Sequence, residues 1–205
     1  MDSRQSPLEL SRMDSDPLRQ FNLWLRQAEA AEVSVANAMT LATAGRQGKV
    51  SARIVLLRGL DERGFLFYTN YESRKGLDLT ANPSAALVLH WLPLSRQIRI
   101  EGSVETLSEE ESDRYFSSRP RGNQLAAHAS PQSRPVTDRH ELEERFDTVE
   151  QQFYDKEVPR PSHWGGYRVV PEMIEFWQEG EHRLHDRLRY RRGDNGHWVL
   201  ERLGP

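Results

Sequence analysis

Arg53-Ile54-Val55-Leu56-Leu57-Arg58, then Phe65-Leu66-Phe67-Tyr68-Thr69-Asn70, then Ser73-Arg74-Lys75 is the stretch on which the reading of this chain turns. Two runs rich in β-branched and aromatic residues flank the polar turn Asp61-Glu62-Arg63-Gly64, the pattern of an antiparallel hairpin. The second run passes at once into a helical segment, Ser73 to Leu79. Ser73 is a fitting N-cap. Arg74 and Lys75 then occupy the first helical turn, at the positive end of the macrodipole. Cations are unfavourable there unless an anion sits between them. Free N–H groups plus two cations therefore describe a phosphate site. A solvated basic turn is the plainer alternative.

Working backward, Ala38 to Ala44 and Lys49 to Arg58 read as the arms of an earlier hairpin around Gly45-Arg46-Gln47-Gly48. Asp16-Pro17 opens a helix, with Asp as N-cap and Pro at N1. Leu18, Phe21, Leu25 and Ala28 repeat at helical spacing there, with Trp24 beside them. Residues 1–15 read as a flexible leader and 16–205 as a single domain.

Working forward, Ala81-Asn82-Pro83 ends the Ser73 helix. Ala85 to Trp91 is a nearly continuous apolar run, expected of a strand buried on both faces. Gln97 to Val104 alternates, as a half-buried strand does. Ser108 and Glu111 form a capping box for a helix to about Ser118. Residues 119–137 read as a loop with a short helix around Asn123 to Ala129. Asp138 starts a helix with the apolar stripe Leu142, Phe146, Val149 and Phe153. Tyr167 to Val170, Ile174 to Gln178, Arg183 to Arg191 and Trp198 to Arg202 are four further strand expectations. The last two are joined through Asn195-Gly196. The sum is a mainly β chain of seven or eight antiparallel strands with peripheral helices, favouring a closed or split barrel.

The 205 residues include 37% hydrophobic and 29% charged, with a net charge of −3. That balance excludes a global basic field for nucleic acid, so any anion site is a local cluster. The chain has no cysteine, which excludes disulfides, thiolate catalysis and Cys-based metal sites and fits a cytoplasmic location. There is no apolar run of membrane-spanning length. Rossmann, P-loop and nucleophile-elbow signatures are absent, and no metal site is expected.

Three further constellations bear on chemistry. Arg183, His185 and Arg187 stand at i, i+2 and i+4, so on a strand they share one face, which calls for an anionic or polar ligand. A charged edge strand is the alternative. Tyr115 and Arg119 share a helix face and suit a phosphate ester, or the arginine merely complements the helix dipole. Arg53 and Arg58, five apart, should face opposite sides of an ideal strand and serve different ligand groups. Trp177 can stack on a flat ring and Gln97 can read a heterocycle edge, although core tryptophan and surface glutamine are commoner.

These segments, with Arg96-Gln97, Tyr115-Phe-Ser-Ser-Arg-Pro-Arg121, Gln132-Ser133, Trp164-Gly-Gly166, Glu175-Phe-Trp-Gln178 and Arg183-Leu-His-Asp-Arg187, resemble the pyridoxamine 5′-phosphate oxidase family over nearly the whole chain. The resemblance implies an FMN-binding split β-barrel, a homodimer with active sites at the subunit interface, and no nucleic-acid or membrane partner. It implies oxidation of pyridoxine or pyridoxamine 5′-phosphate to pyridoxal 5′-phosphate, with oxygen as acceptor and hydrogen peroxide as by-product.

By the same resemblance, Arg53, Tyr68, Thr69, Arg74, Lys75, Gln97, Gln132, Ser133, Trp177 and Arg187 hold FMN. Arg58, Tyr115, Arg119 and Asn123 hold the substrate phosphate, and Arg183 and His185 are the catalytic pair over the pyridine ring. The sequence departs from the family on the substrate side: Arg58 stands for the usual lysine, Asn123 for the usual serine, and Ala126-Ala127-His128 for Gly-Ala-Trp. Three other readings compete: a phenazine-biosynthesis-type flavin oxidase, a non-catalytic flavin- or haem-binding split-barrel protein, and a plain dimerisation domain.

Overall fold

A computed structural model describes residues 6–205. Alternating burial builds most of its sheet. In β1 (Ala38–Ala44) Met39, Leu41 and Thr43 point inward. β1 pairs with β2 (Val50–Leu56) across the expected Gly45–Gly48 turn, and on its other side with β5 (Ser84–Trp91). β5 continues to β6 (Arg96–Thr106), and β6 to the long β7 (Trp164–Gln178). Beyond β7 lie β4 (Gly64–Asn70) and β3 (Gly59–Asp61). The order is β2-β1-β5-β6-β7-β4-β3, antiparallel throughout, with β8 (Asp186–Arg192) on β7 and β9 (Trp198–Arg202) on β8.

The sheet divides at β7. Its first half, Trp164 to Val169, pairs with β4, and its last six residues pair with β8, while β6 runs along the other side of both. The bend between the halves falls at Pro171, where the β6–β7 register shifts between Glu101 and Gly102. A Cβ on Gly102 would lie 2.0 Å from Val170 O, so the bulge needs glycine. The result is a split barrel.

Helix α1 (Pro17–Ala30), capped by Asp16, drops Phe21 against Phe65 (4.8 Å) and Trp24 against Phe176 (5.0 Å), plugging the barrel core. Each such side chain contributes about 1.5–3 kcal/mol by burial. A second cluster, Phe116, Leu125, Ala127, Val158 and Trp164, sits beneath α3 (Glu109–Ser117), α4 (Arg121–Ala129) and α5 (Arg139–Gln152). α2 (Arg74–Ala81) follows β4 directly. Among the described residues no helix is long and apolar enough to cross a membrane.

Several expectations are corrected. Residues 53–58 and 65–70 are not hairpin partners: β2 pairs with β1, and the short hairpin is β3 with β4. β5 is not buried on both faces, since Ser84 and His90 are exposed and Ala86 and Val88 half-buried. Tyr167–Val170 and Ile174–Gln178 are one bent strand. The segment 183–191 is extended only from Asp186. Before it, Glu181–Arg183 is a 3-10 turn with His182 (φ 54°) and Arg183 (φ 64°) left-handed, so strand parity does not govern Arg183 and His185. The α5 stripe is half-buried at best, and Leu142 is exposed. Residues 6–15, expected to be loose, lie against the sheet: Leu8 N–H donates to Asp186 (3.0 Å) and Tyr190 OH to Asp14 O (2.6 Å). Residues 1–5 of that leader lie outside the described residues.

Candidate functional site

The turn from β4 into α2 is closed by two small residues. Ser73, fully buried, accepts the Gly76 N–H on Oγ and donates to Asn70 O (2.7 Å). A Cβ on Gly76 would stand 2.1 Å from Tyr71 O, so only glycine lets helix and turn meet this closely. Lys75 then points inward. Its Nζ donates to Gln132 Oε1 (2.9 Å), Thr69 Oγ1 (3.1 Å) and Ser73 Oγ (3.2 Å), all neutral groups. Burial, with Arg53 nearby, pushes its pKa down to about 8.

Arg53 comes across from β2. Nη1 donates to Thr43 Oγ1 (2.7 Å) and Leu41 O (3.2 Å), and Nη2 to Ser51 Oγ (2.6 Å). Asp78 is the nearby carboxylate, 3.9 Å from Arg53 and 3.6 Å from Arg74. Burial works to raise the Asp78 pKa, but hydrogen bonds from Thr43 and Ser51 and the two arginines hold it low. Arg53 and Arg74 thus share one carboxylate, Asp78, while Lys75 has neutral partners.

A second positive centre stands at the end of α3. Tyr115 stacks on Tyr68 (3.8 Å between centroids) and lies parallel to Trp164 (4° between planes). Arg119, just past the helix, lays its guanidinium 4.4 Å over the Trp164 ring. Its Nη1 is buried and, among the described residues, has no hydrogen-bond partner. Burial lowers the Arg119 pKa, and neighbouring Arg58 adds to that. A buried donor left open in this way costs free energy until a ligand accepts from it.

Both centres line one cleft of about 620 Å³. Arg53, Tyr68, Thr69, Lys75 and Gln132 stand at one part of it, and Arg58, Tyr115, Arg119 and Asn123 also line it. The expectation that Arg53 and Arg58 face apart is corrected. β2 ends at Leu56, Leu57 N–H bonds Asn37 O, and Arg58 N–H crosses to Leu66 O (2.8 Å), so both arginines reach the same cleft. Arg74 stays beside the cleft on Asp78. Ser133, left-handed at φ 69°, follows Gln132 in the loop and does not line the cleft.

Gln97, Trp177 and Arg187 do not line this cleft either; they are cross-strand neighbours on β6, β7 and β8. Arg187 is held by Glu175 (2.7 and 3.1 Å) and by Gly204 O (3.0 Å). His185 lies 4.8 Å from the Trp177 ring. Its Nδ1 accepts from Gly180 N–H (3.2 Å), so the neutral imidazole carries its proton on Nε2. Arg183 is exposed on the strained turn just before. The structure therefore gathers most of the expected residues into two patches, with Arg74 and Ser133 beside the cleft rather than in it.

Residues 25–153 match the family described as pyridoxamine 5′-phosphate oxidase, and residues 164–205 match the pyridoxine 5′-phosphate oxidase C-terminal dimerisation region. The chain belongs to the pyridoxine/pyridoxamine 5′-phosphate oxidase family. It is 62% identical over 201 residues to the pyridoxine/pyridoxamine 5′-phosphate oxidase of Salinibacter ruber, covering 96% of this chain and 94% of that one. Among solved structures it is similar to PhzG from Burkholderia lata, in complex with tetrahydrophenazine-1-carboxylic acid, at TM-score 0.90 and 34% identity over 95% of each chain. A pyridoxamine 5′-phosphate oxidase-related, FMN-binding protein from Nostoc punctiforme shares the fold at TM-score 0.73 and 17% identity, covering 94% of this chain and all of that one.

The two patches follow the two matched regions of the oxidase family except at Trp164, which lines the cleft, and Gln97, which stands with the second patch. Apart from Trp164, every residue lining the cleft falls within 25–153. Trp177, Arg183, His185 and Arg187 all fall within the dimerisation region. Trp164 had been given no site role from sequence. The signal was the bulky residue before Gly165-Gly166: a Cβ at Gly166 would clash with Tyr68 and Leu107, so the glycines let the aromatic stack close.

Proposed function

We propose that the protein is an FMN-dependent oxidase that converts pyridoxine 5′-phosphate or pyridoxamine 5′-phosphate to pyridoxal 5′-phosphate, with oxygen as electron acceptor and hydrogen peroxide as product. One observation carries this reading. The cleft is lined by four cations, Arg53, Arg58, Lys75 and Arg119, and by no carboxylate among the described residues. Such a surface favours anionic ligands over neutral ones.

The donor set fits FMN. Lys75 has only neutral partners, and the α2 N-terminus adds free N–H groups, so a phosphate there completes the charge balance. Arg53, Thr69, Arg74, Lys75, Gln132 and Ser133 hold the cofactor, with Tyr68 nearby. Held there, FMN would supply a hydride acceptor for the substrate C4′ carbon and a route for the electrons to oxygen. Arg58, Tyr115, Arg119 and Asn123 hold the substrate phosphate, and the open Arg119 Nη1 gains its acceptor there. The second patch closes the site from the other protomer of a homodimer: Gln97, Trp177 and Arg187 complete the flavin pocket. Arg183 fixes the pyridine ring, and His185, donating through Nε2, assists proton movement at the 4′ substituent.

Similarity to PhzG at 34% identity supports one other reading, oxidation of a reduced phenazine precursor. Anaerobic mixing of the flavin-loaded protein with pyridoxine 5′-phosphate separates the two. Bleaching of the flavin absorbance is expected. A flavin band unchanged by the phosphorylated vitamer overturns the proposal.

A further inference from the structure

Arg168 sits on β7, outside the cleft and 5% exposed. Its guanidinium joins separate elements. Nε and Nη2 donate to Asp61 Oδ2 (2.9 and 2.6 Å), at the tip of the β3–β4 hairpin. Nη2 also donates to Glu111 Oε1 (3.0 Å), in the first turn of α3. Glu105, at the end of β6, stands 3.7 Å from Nη1 and also pairs with Arg63. Burial works to lower the Arg168 pKa, but Asp61 and Glu111 outweigh it and hold the group charged.

The α3 side of this contact is one of three consecutive ties. Glu111 spends its other oxygen on the Ser108 N–H (2.9 Å). Ser112 Oγ accepts from Gly166 N–H (3.2 Å). Asp113 takes Arg160 Nε (2.6 Å), and Arg160 Nη1 donates to Trp164 O (2.7 Å). Residues 111, 112 and 113 are thus each fastened to the 160–168 segment. One helical turn later come Tyr115, then Arg119 over Trp164. On the Asp61 side, β3 starts directly after Arg58.

We propose that Arg168 is a positioning residue for the substrate phosphate. By holding Asp61 and Glu111 on one planar fork, it sets the separation between Arg58 on one wall of the cleft and Tyr115 with Arg119 on the other. This rests on the B6-oxidase reading. A guanidinium fixes two carboxylates in a defined plane, which an ammonium does not.

The test uses flavin-loaded R168K and E111Q. Glutamine at N3 still accepts the Ser108 N–H, so E111Q removes the charge facing Arg168 while keeping the helix start. In R168K the KM for pyridoxine 5′-phosphate is expected to rise about tenfold, with kcat held within about twofold, because misplaced binding groups lose affinity first. E111Q should move KM the same way by about threefold. The calorimetric Kd for pyridoxal 5′-phosphate should follow KM, while FMN affinity stays put. Unchanged KM and Kd in both variants overturn the proposal, as does a loss of FMN and kcat together with KM, which marks general loosening. A wild-type protein that never oxidises the vitamer sinks the B6 reading instead. Inorganic phosphate titrated into the flavin-loaded variants then still decides whether Arg168 sets the anion subsite.

Discussion

Lys75 shows what a single buried charge does to the whole binding equilibrium. Its pKa of about 8 in the folded chain lies below the 10.5 of a lysine free in water. Between those two pH values the unfolded chain binds more protons than the folded one. Stability of the flavin-free protein therefore rises with pH across that window. An FMN phosphate raises the Lys75 pKa, so binding above pH 8 takes up a proton and weakens as pH rises. FMN affinity measured by flavin fluorescence should fall about tenfold from pH 7.5 to 9.5. A flat profile would show that Lys75 does not face the phosphate. K75M should weaken FMN binding by about tenfold or more without lowering the apoprotein Tm, since the cost of burying the ammonium goes with it. R183A and H185A should keep their flavin and lose about ten- to a hundredfold in kcat, read by stopped-flow flavin reduction. Normal turnover in both would remove the catalytic assignment.

Among the elements, the β4–α2 turn is the one with least room to vary. Ser73 caps the helix and also accepts from Lys75, so S73A should cost about 1 kcal/mol of stability and reduce FMN affinity as well. G76A is harsher, because its methyl would meet the Tyr71 carbonyl at 2.1 Å. Denaturant unfolding should show a loss of about 1–3 kcal/mol, with little FMN retained. A G76A protein as stable and as yellow as the parent would mean that the turn is looser than the close approach implies. The β6–β7 pair is governed by the same kind of constraint, with Gly102 of β6 against Pro171 of β7, where a bend lets β7 serve two half-sheets.

For the molecule as a whole, the division of the site residues into two patches makes an active site shared between protomers a testable geometry. K75M damages the cleft and R183A damages the dimerisation region. Each homodimer should be poor. After subunit exchange in equal mixture, half the dimers carry one intact site, so activity should recover to about a quarter of wild type in an isologous dimer. No recovery, with exchange verified by mixed-dimer mass, would place both patches of each site on one chain.

Local chemistry was legible in the sequence alone. Asp16, Ser73, Ser108 and Asp138 each cap the helix expected of them. The 38–58 hairpin, the cationic turn at Ser73 and the Tyr115–Arg119 pairing also stand where spacing puts them. Caps and turns act within three or four residues, so their signals are written side by side. Tertiary structure alone decided that β4 pairs with β7 rather than β2, that one bent strand replaces two, and that Arg53 and Arg58 meet in one cleft. It also lifted Arg183 and His185 off the strand and drew Arg168 to Asp61 and Glu111. Those outcomes depend on which partners meet in space, from Leu66 on the Arg58 N–H to Asp61 on Arg168, 107 residues away. Loop-closure entropy separates such pairings only weakly, and no local pattern in the chain encodes the choice.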